Sequence, residues 1–171
     1  EIARVQPGSY FILAQRLGGR GGPGGGGIVG KTLVDVTTSD ITGLLVPILD
    51  PIAVSGAVKL EGQTTAGLQR LMLGLTSADG LPVGTPAGRV EDTGAFKIDG
   101  VFPDRYYLSV SGLPEGSYIK SMKLANQEVI DKGLDLSSAR TGIVLDVLLS
   151  TKGATLEGVV TLDDKPATGS Y

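Results

Sequence analysis

The chain has 171 residues, 41% of them hydrophobic, with 27 glycines, a formal charge of −3, and no cysteine, histidine or tryptophan. That length allows one to two domains, and the apolar share suffices for a core, which excludes a disordered polymer. The missing Cys and His exclude disulfides, thiolate chemistry, His-ligated metals and any Ser-His or Cys-His pair; the charge offers no basic face for nucleic acid, and no apolar run nears the ~20 residues of a bilayer span.

In chain order, the first apolar stretch runs from Ile2 to Ile12. A glycine run, Gly18 to Gly27, follows and reads as a flexible hairpin extension. Gly25-Gly26-Gly27-Ile28-Val29-Gly30-Lys31-Thr32 matches the phosphate-loop pattern letter for letter. A working phosphate loop needs a helix starting at the lysine. The residues after Thr32, Leu33 to Asp40, are β-branched and alternating, so a strand is expected and nucleotide binding is not. Pro47 argues against a core parallel strand over Leu44–Asp50.

Val54, Gly56, Val58 and Leu60 share one face of a strand, and Leu71, Leu73 and Leu75 mark another. Asp92-Thr93-Gly94 predicts a tight turn, and Phe96–Ile98 and Tyr106–Val110 flank a second turn at Pro103-Asp104-Arg105. Ser121–Leu124 and Gln127–Ile130 form a hairpin around Ala125-Asn126, where Asn accepts a positive φ. Ile143–Leu149 is an apolar run with Asp146 on its outer face, and Leu156, Gly158, Val160 and Leu162 repeat the pattern of residues 54–60. Helical periodicity is convincing nowhere.

The chain repeats itself. Ile2, Val5, Pro7 and Tyr10 return 96 residues later (98 − 2) as Ile98, Val101, Pro103 and Tyr106. Val34–Thr38 returns as Leu134–Ser138 at an offset of 100 (134 − 34), and Gly56, Val58 and Leu60 return as Gly158, Val160 and Leu162 at 102 (158 − 56). Three blocks in one order with drifting offsets indicate repeats of about 100 residues. The chain is therefore expected to be all-β: one complete sandwich over residues 51–150, the back part of another over 1–50, and the first strand of a following repeat or a donor strand over 151–171. A part-sandwich cannot pair its edges alone. Its partner is then a neighbouring repeat of a longer chain, or a second copy that donates a strand. The expected contact residues are Leu156, Val160 and Leu162 on the donor, against Ile2, Val5, Tyr10 and Ile12 within a surface reaching to Val34–Ile48.

No carboxylate pair has a spacing that singles it out, and no residues suggest a catalytic, cofactor or metal site. Asp35 and Asp135, each ahead of a Thr-Thr or Ser-Ser pair, read as strand-end hydrogen-bond acceptors. Asp163-Asp164 lacks the ladder of oxygen ligands calcium needs. Tyr10 and Tyr106 are expected to be buried rings with their hydroxyls bonded near a strand corner, rather than a sugar-stacking surface, while Phe11, Tyr107 and Tyr118 are candidates for exposure and leave glycans open as partners.

Residues 92–108, Asp92-Thr93-Gly94-Ala95-Phe96-Lys97-Ile98 through Pro103-Asp104-Arg105-Tyr106-Tyr107-Leu108, resemble the signature of carboxypeptidase regulatory-like domains, D-x-x-G-x-F-x-I/F-x-x-V/L-x-P-G-x-Y-x-L. One residue fewer separates Asp92 from Gly94, and Asp104 stands where the signature has Gly; Pro7-Gly8-Ser9-Tyr10 keeps that Gly. Gly158 to Gly169 is similar to the opening of the same signature. The resemblance implies tandem seven-stranded sandwiches of the transthyretin-like, broadly Ig-like kind. It also implies a secreted or cell-surface bacterial protein without catalytic activity: a structural rod or filament module, an adhesin-type binding module, or an accessory domain of a larger secreted enzyme. Related pilin domains carry Lys–Asn crosslinks, but Asn126 lies in a predicted turn and no such crosslink is expected.

Overall fold

Alternating apolar residues and turn glycines shape the chain almost wholly into strands. The computed structural model describes residues 2–15, 28–62, 67–81, 85–162 and 165–166. The strands are β1 (Gly8–Gln15), β2 (Ile28–Val36), β3 (Ile52–Leu60), β4 (Met72–Ser77), β5 (Ala87–Arg89), β6 (Ala95–Val101) and β7 (Arg105–Ser111). They continue as β8 (Tyr118–Leu124), β9 (Gln127–Glu128), β10 (Leu134–Asp135), β11 (Ile143–Ser150), β12 (Thr161–Leu162) and β13 (Lys165–Pro166). Among the described residues the one helical element is a 3-10 turn at Leu68–Arg70. The expected all-β character is what the chain has.

Between Ile52 and Ser150 the strands form two sheets, a five-stranded one in the order β6-β3-β11-β8-β9 and a four-stranded one in the order β10-β7-β4-β5. Their inner faces share one core. Val54, Val58, Phe96, Ile98, Leu145, Val147 and Leu149 come from the first sheet, and Leu73, Leu75, Tyr106 and Leu134 from the second. Each such side chain contributes roughly 1.5–3 kcal/mol by leaving water. Alternation places these residues inward and Lys97, Asp146 and Lys59 outward.

At the centre, β3 and β11 pair in parallel, Ile143 opposite Val54 through Leu149 opposite Leu60. Parallel neighbours need a long crossover, and the chain passes through the whole second sheet between them. Gly56 sits where this approach is tightest. A Cβ there would overlap the backbone carbonyl of Leu145 and reach 3.0 Å from the Phe96 ring. On its other edge β3 pairs antiparallel with β6, Val54 opposite Ile98 and Ile52 opposite Val101, with a bulge between. Gly100 takes the left-handed φ of 74° at that bulge.

Two of the predicted turns have the expected chemistry. Ala125 and Asn126 both hold positive φ, 48° and 67°, the pattern of a type I′ hairpin turn. Glu128 closes this hairpin by accepting from Ser121 Oγ at 2.5 Å and from the Met122 N–H at 2.7 Å. These bonds, Ser121's first, hold its carboxyl below the ordinary range. Gly94 has φ 86° in the Asp92–Gly94 turn, where its N–H donates to Glu91 O at 2.9 Å.

Outside these two sheets, β1 and β2 form a hairpin paired from Gly8–Val36 to Gln15–Ile28. Residues 154–162, expected as one strand, run without strand structure until the two-residue β12, which pairs with β13. Residues 154–160 lie beside no other strand, and an extended segment becomes a strand only beside another; the places next to β3 and β11, at the centre of the larger sheet, are already taken. The glycine run at 18–27 and Asp163-Asp164 lie outside the described residues.

Candidate functional site

The repeat blocks can be compared strand by strand. In the complete unit Leu134 pairs with Tyr106 and Asp135 with Arg105. Shifted by the repeat offsets, Val34 pairs with Tyr10 and Asp35 with Ser9. The Tyr106 hydroxyl donates to Phe102 O at 2.8 Å, four residues back. The Tyr10 hydroxyl donates to Gln6 O, also four residues back, at 2.9 Å. Pairing and corner bond are the same in both units, but burial is not: Tyr106 is 1% exposed and Tyr10 37%. Burial pushes the Tyr106 phenol up, well beyond its ordinary value.

Exposed apolar side chains lie on and around the hairpin: Ile2, Val5, Leu45 and Ile48 are exposed and Ile12 is half-buried, while the exposed pair Phe11 and Leu33 stands on the face of the hairpin opposite Tyr10 and Ile12. Beside it lies an open hollow of about 700 Å³, as polar as apolar, lined by Ile2, Val5, Val36 and Ile41 together with Arg4, Thr37 and Asp40. Residues 45–49 run along β2: Ile48 bridges Gly30, the Leu49 N–H donates to Val29 O at 2.7 Å, and Thr32 Oγ1 donates to Leu45 O at 3.3 Å. The structure thus gathers Ile2 and Val5 around one cavity, and sets Tyr10 and Ile12 on the same face of β1. It does not bring Leu156 or Val160 to them. After the Gly153 N–H bonds to Gly116 O at 3.0 Å, the chain runs free, with Leu156 97% exposed and Val160 exposed. Leu162 lies in β12, opposite Lys165.

The two expected strand-end acceptors divide. Asp135 accepts from Ser137 Oγ at 2.6 Å and the Ser137 N–H at 3.1 Å, bonds that hold its carboxyl low, the hydroxyl's foremost. Asp35 accepts instead across the hairpin, from Ser9 Oγ at 2.5 Å.

Sequence reasoning missed the clamp that ties the hairpin to the complete unit. Lys31, the lysine of the phosphate-loop look-alike, stands mid-strand in β2, with no helix after it. Its ammonium donates to both oxygens of Asp104, at 2.8 and 2.9 Å, and to Asp79 at 2.5 Å. It also lies 4.6 Å from the centre of the Phe11 ring, a cation–π contact. Burial alone pulls the ammonium's pKa down, but the bonds to Asp104 and then Asp79 outweigh it and raise the value above the ordinary one. Asp104 occupies the place where the resembling signature has Gly, and its carboxylate is almost fully buried. That departure was the one signal in the sequence that could have pointed to the clamp. The arrangement ties the β1–β2 hairpin to the two-sheet body; among the described residues there is no group of three or more His, Cys, Asp or Glu side chains placed to hold a metal ion.

Compared with protein-family models, curated proteins and solved structures, the chain has no significant match.

Proposed function

We propose that the chain is a structural, non-catalytic module of a bacterial surface rod or filament, built from stacked Ig-like or transthyretin-like sandwich repeats of the carboxypeptidase regulatory-like kind; the whole unit carries nine strands, five in one sheet and four in the other, where seven were expected. Residues 51–150 form a whole unit. Residues 1–50 and 151–171 are parts of units, completed by strands from a neighbouring repeat or another copy. The observation that carries this reading is the pair of tyrosine corners: one bond and one pairing register, buried at Tyr106 and open at Tyr10. A unit with the correct internal register and an uncovered apolar face lacks a partner rather than a fold. Leu156 and Val160 supply the matching apolar strand, exposed and unpaired. Negative-stain images of the purified chain should show filaments or end-to-end rods; monodisperse monomers at every concentration contradict the reading.

A second reading, a carbohydrate- or protein-binding surface, rests on the exposed rings of Tyr107 and Tyr118. It requires glycan or protein binding that is lost in Tyr107→Ala or Tyr118→Ala.

A further inference from the structure

Among the described residues no strand pairing joins residues 2–49 to residues 52–150. β1 pairs with β2 alone, and residues 45–49 lie along β2. The buried apolar core of the two sheets likewise holds no described residue from before Ile52. The last residue bonded into the hairpin is Leu49, whose N–H donates to Val29 O. The first paired into the body is Ile52, opposite Val101. Only Asp50 and Pro51, both exposed, lie between them. Pro51 has a fixed φ and draws Asp50 to extended conformations, so the connection is short and has few torsions left to turn.

One polar contact crosses that connection. Among the described residues, every hydrogen bond and ion pair between the two pieces belongs to the Lys31 ammonium, which reaches Asp104 at 2.8 and 2.9 Å and Asp79 at 2.5 Å. The body alone positions both carboxylates. Asp79 follows β4 and Asp104 precedes β7, and these two strands are paired. The Ala78 N–H donates to Arg105 O and the Leu136 N–H to Asp104 O, both at 2.9 Å, so the backbone of this socket is fixed without the hairpin. The Asp104 side chain is 8% exposed, and a carboxylate so far from water is costly without a cation. Its cation sits on the other piece, held under the hairpin's own Phe11 ring. The socket is also particular to this joint: in the first unit the residue at the place of Asp104 is Gly8 (104 − 96).

We infer that residues 2–49 and 52–150 are two rigid bodies hinged at Asp50–Pro51, held in one orientation by a single ionic latch, the Lys31 ammonium in the Asp79–Asp104 socket. Apolar burial is non-directional and grades with area, whereas an ammonium seated between two fixed carboxylates is either in place or out of it. The joint therefore has two states, latched and swinging, and passes between them without unfolding either body. It needs no second copy and does not rest on strand completion.

The chain has no native cysteine, so spin labels go on Leu45→Cys and Val144→Cys, one exposed position on each body. Pulsed electron-spin distance measurement on the otherwise unchanged chain should give one narrow peak. Lys31→Asp, which brings a third carboxylate to the socket, should widen that peak several-fold. Adding Asp104→Lys restores the charge pairing with the roles exchanged and should return the narrow peak. Asp79→Asn, on the outer, partly exposed side of the socket, should widen the peak by less than Lys31→Asp does. It reads the latch even where Lys31→Asp fails to fold, and far-UV circular dichroism should show its strands intact. A broad peak in the unchanged chain overturns the latched state. A peak that stays narrow in Asp79→Asn or in folded Lys31→Asp overturns the latch as what holds the two bodies. A broad peak in the folded exchange variant overturns charge pairing as its basis.

Discussion

The corner of β7 and the corner of β1 are built from the same parts. Tyr106 and Tyr10 each bond a carbonyl four residues back, and each pairs with the corresponding residue of its neighbouring strand. One ring is sealed under a facing sheet and the other is open to solvent. Strand register and corner geometry are thus local properties, set by turn residues and alternation. Burial is not local: it needs facing strands, and among the described residues no sheet covers Tyr10 as one covers Tyr106.

The sharpest way to break this comparison uses the two glycines. Gly56→Val forces a branched side chain into the Leu145 carbonyl and should cost about 4 kcal/mol or more, enough to unfold the complete unit. Gly158→Val meets open space and should leave the melting curve of the dilute chain unchanged. Circular dichroism melts of the two variants decide it, and equal losses would contradict the account.

The next effect is on the clamp. Lys31→Met leaves the nearly buried Asp104 carboxylate without its cation, and should cost the hairpin's attachment about 2 kcal/mol. Limited proteolysis should then cut within residues 1–50 faster while residues 52–150 stay protected. Lys31→Met combined with Asp104→Leu should recover much of the loss, because no charge is left buried and unpaired.

Smaller effects separate the tyrosines. Tyr106→Phe leaves the buried Phe102 carbonyl unpartnered and should cost about 1.5 kcal/mol, whereas Tyr10→Phe exposes a carbonyl that water can satisfy and should cost under about 0.5 kcal/mol. Urea unfolding with an unchanged slope would measure both.

The pH profile gives the smallest and broadest contrast. Glu128, held low in the folded chain, contributes stability above its ordinary value near 4.5 that is lost as pH falls below it. Tyr106 and Lys31 are raised from ordinary values near 10.0 and 10.5, so their contributions are complete below those values and disappear as pH rises through the raised ones. Melting temperature should therefore be level between about pH 5 and 10 and fall on both sides. On the alkaline side the Lys31→Met chain should lose less than the parent.

Much of the fold was legible because its signals are short-range. The turn at Ala125-Asn126, the turn at Gly94 and the inward faces of β3, β4 and β11 follow from residues within one hairpin or one strand. The repeat added the tyrosine corner and the matching of Leu156–Leu162 to β3. What stayed hidden depends on distance along the chain. The bonds of Lys31 span 48 and 73 residues, and its surroundings imitated a phosphate loop. The parallel pairing of β3 with β11, and with it the reason for Gly56, appears only once the second sheet has been crossed. The unpaired state of residues 154–160 was likewise invisible, since alternation reports a strand's faces and not whether an edge awaits it.

The most direct test of strand completion is hydrogen exchange at residues 154–161 and 2–5, followed as the chain is concentrated. Completion predicts fast exchange at both segments in dilute solution, then protection that rises together as larger species appear by light scattering. Fast exchange at residues 154–161 within fully assembled material would contradict it.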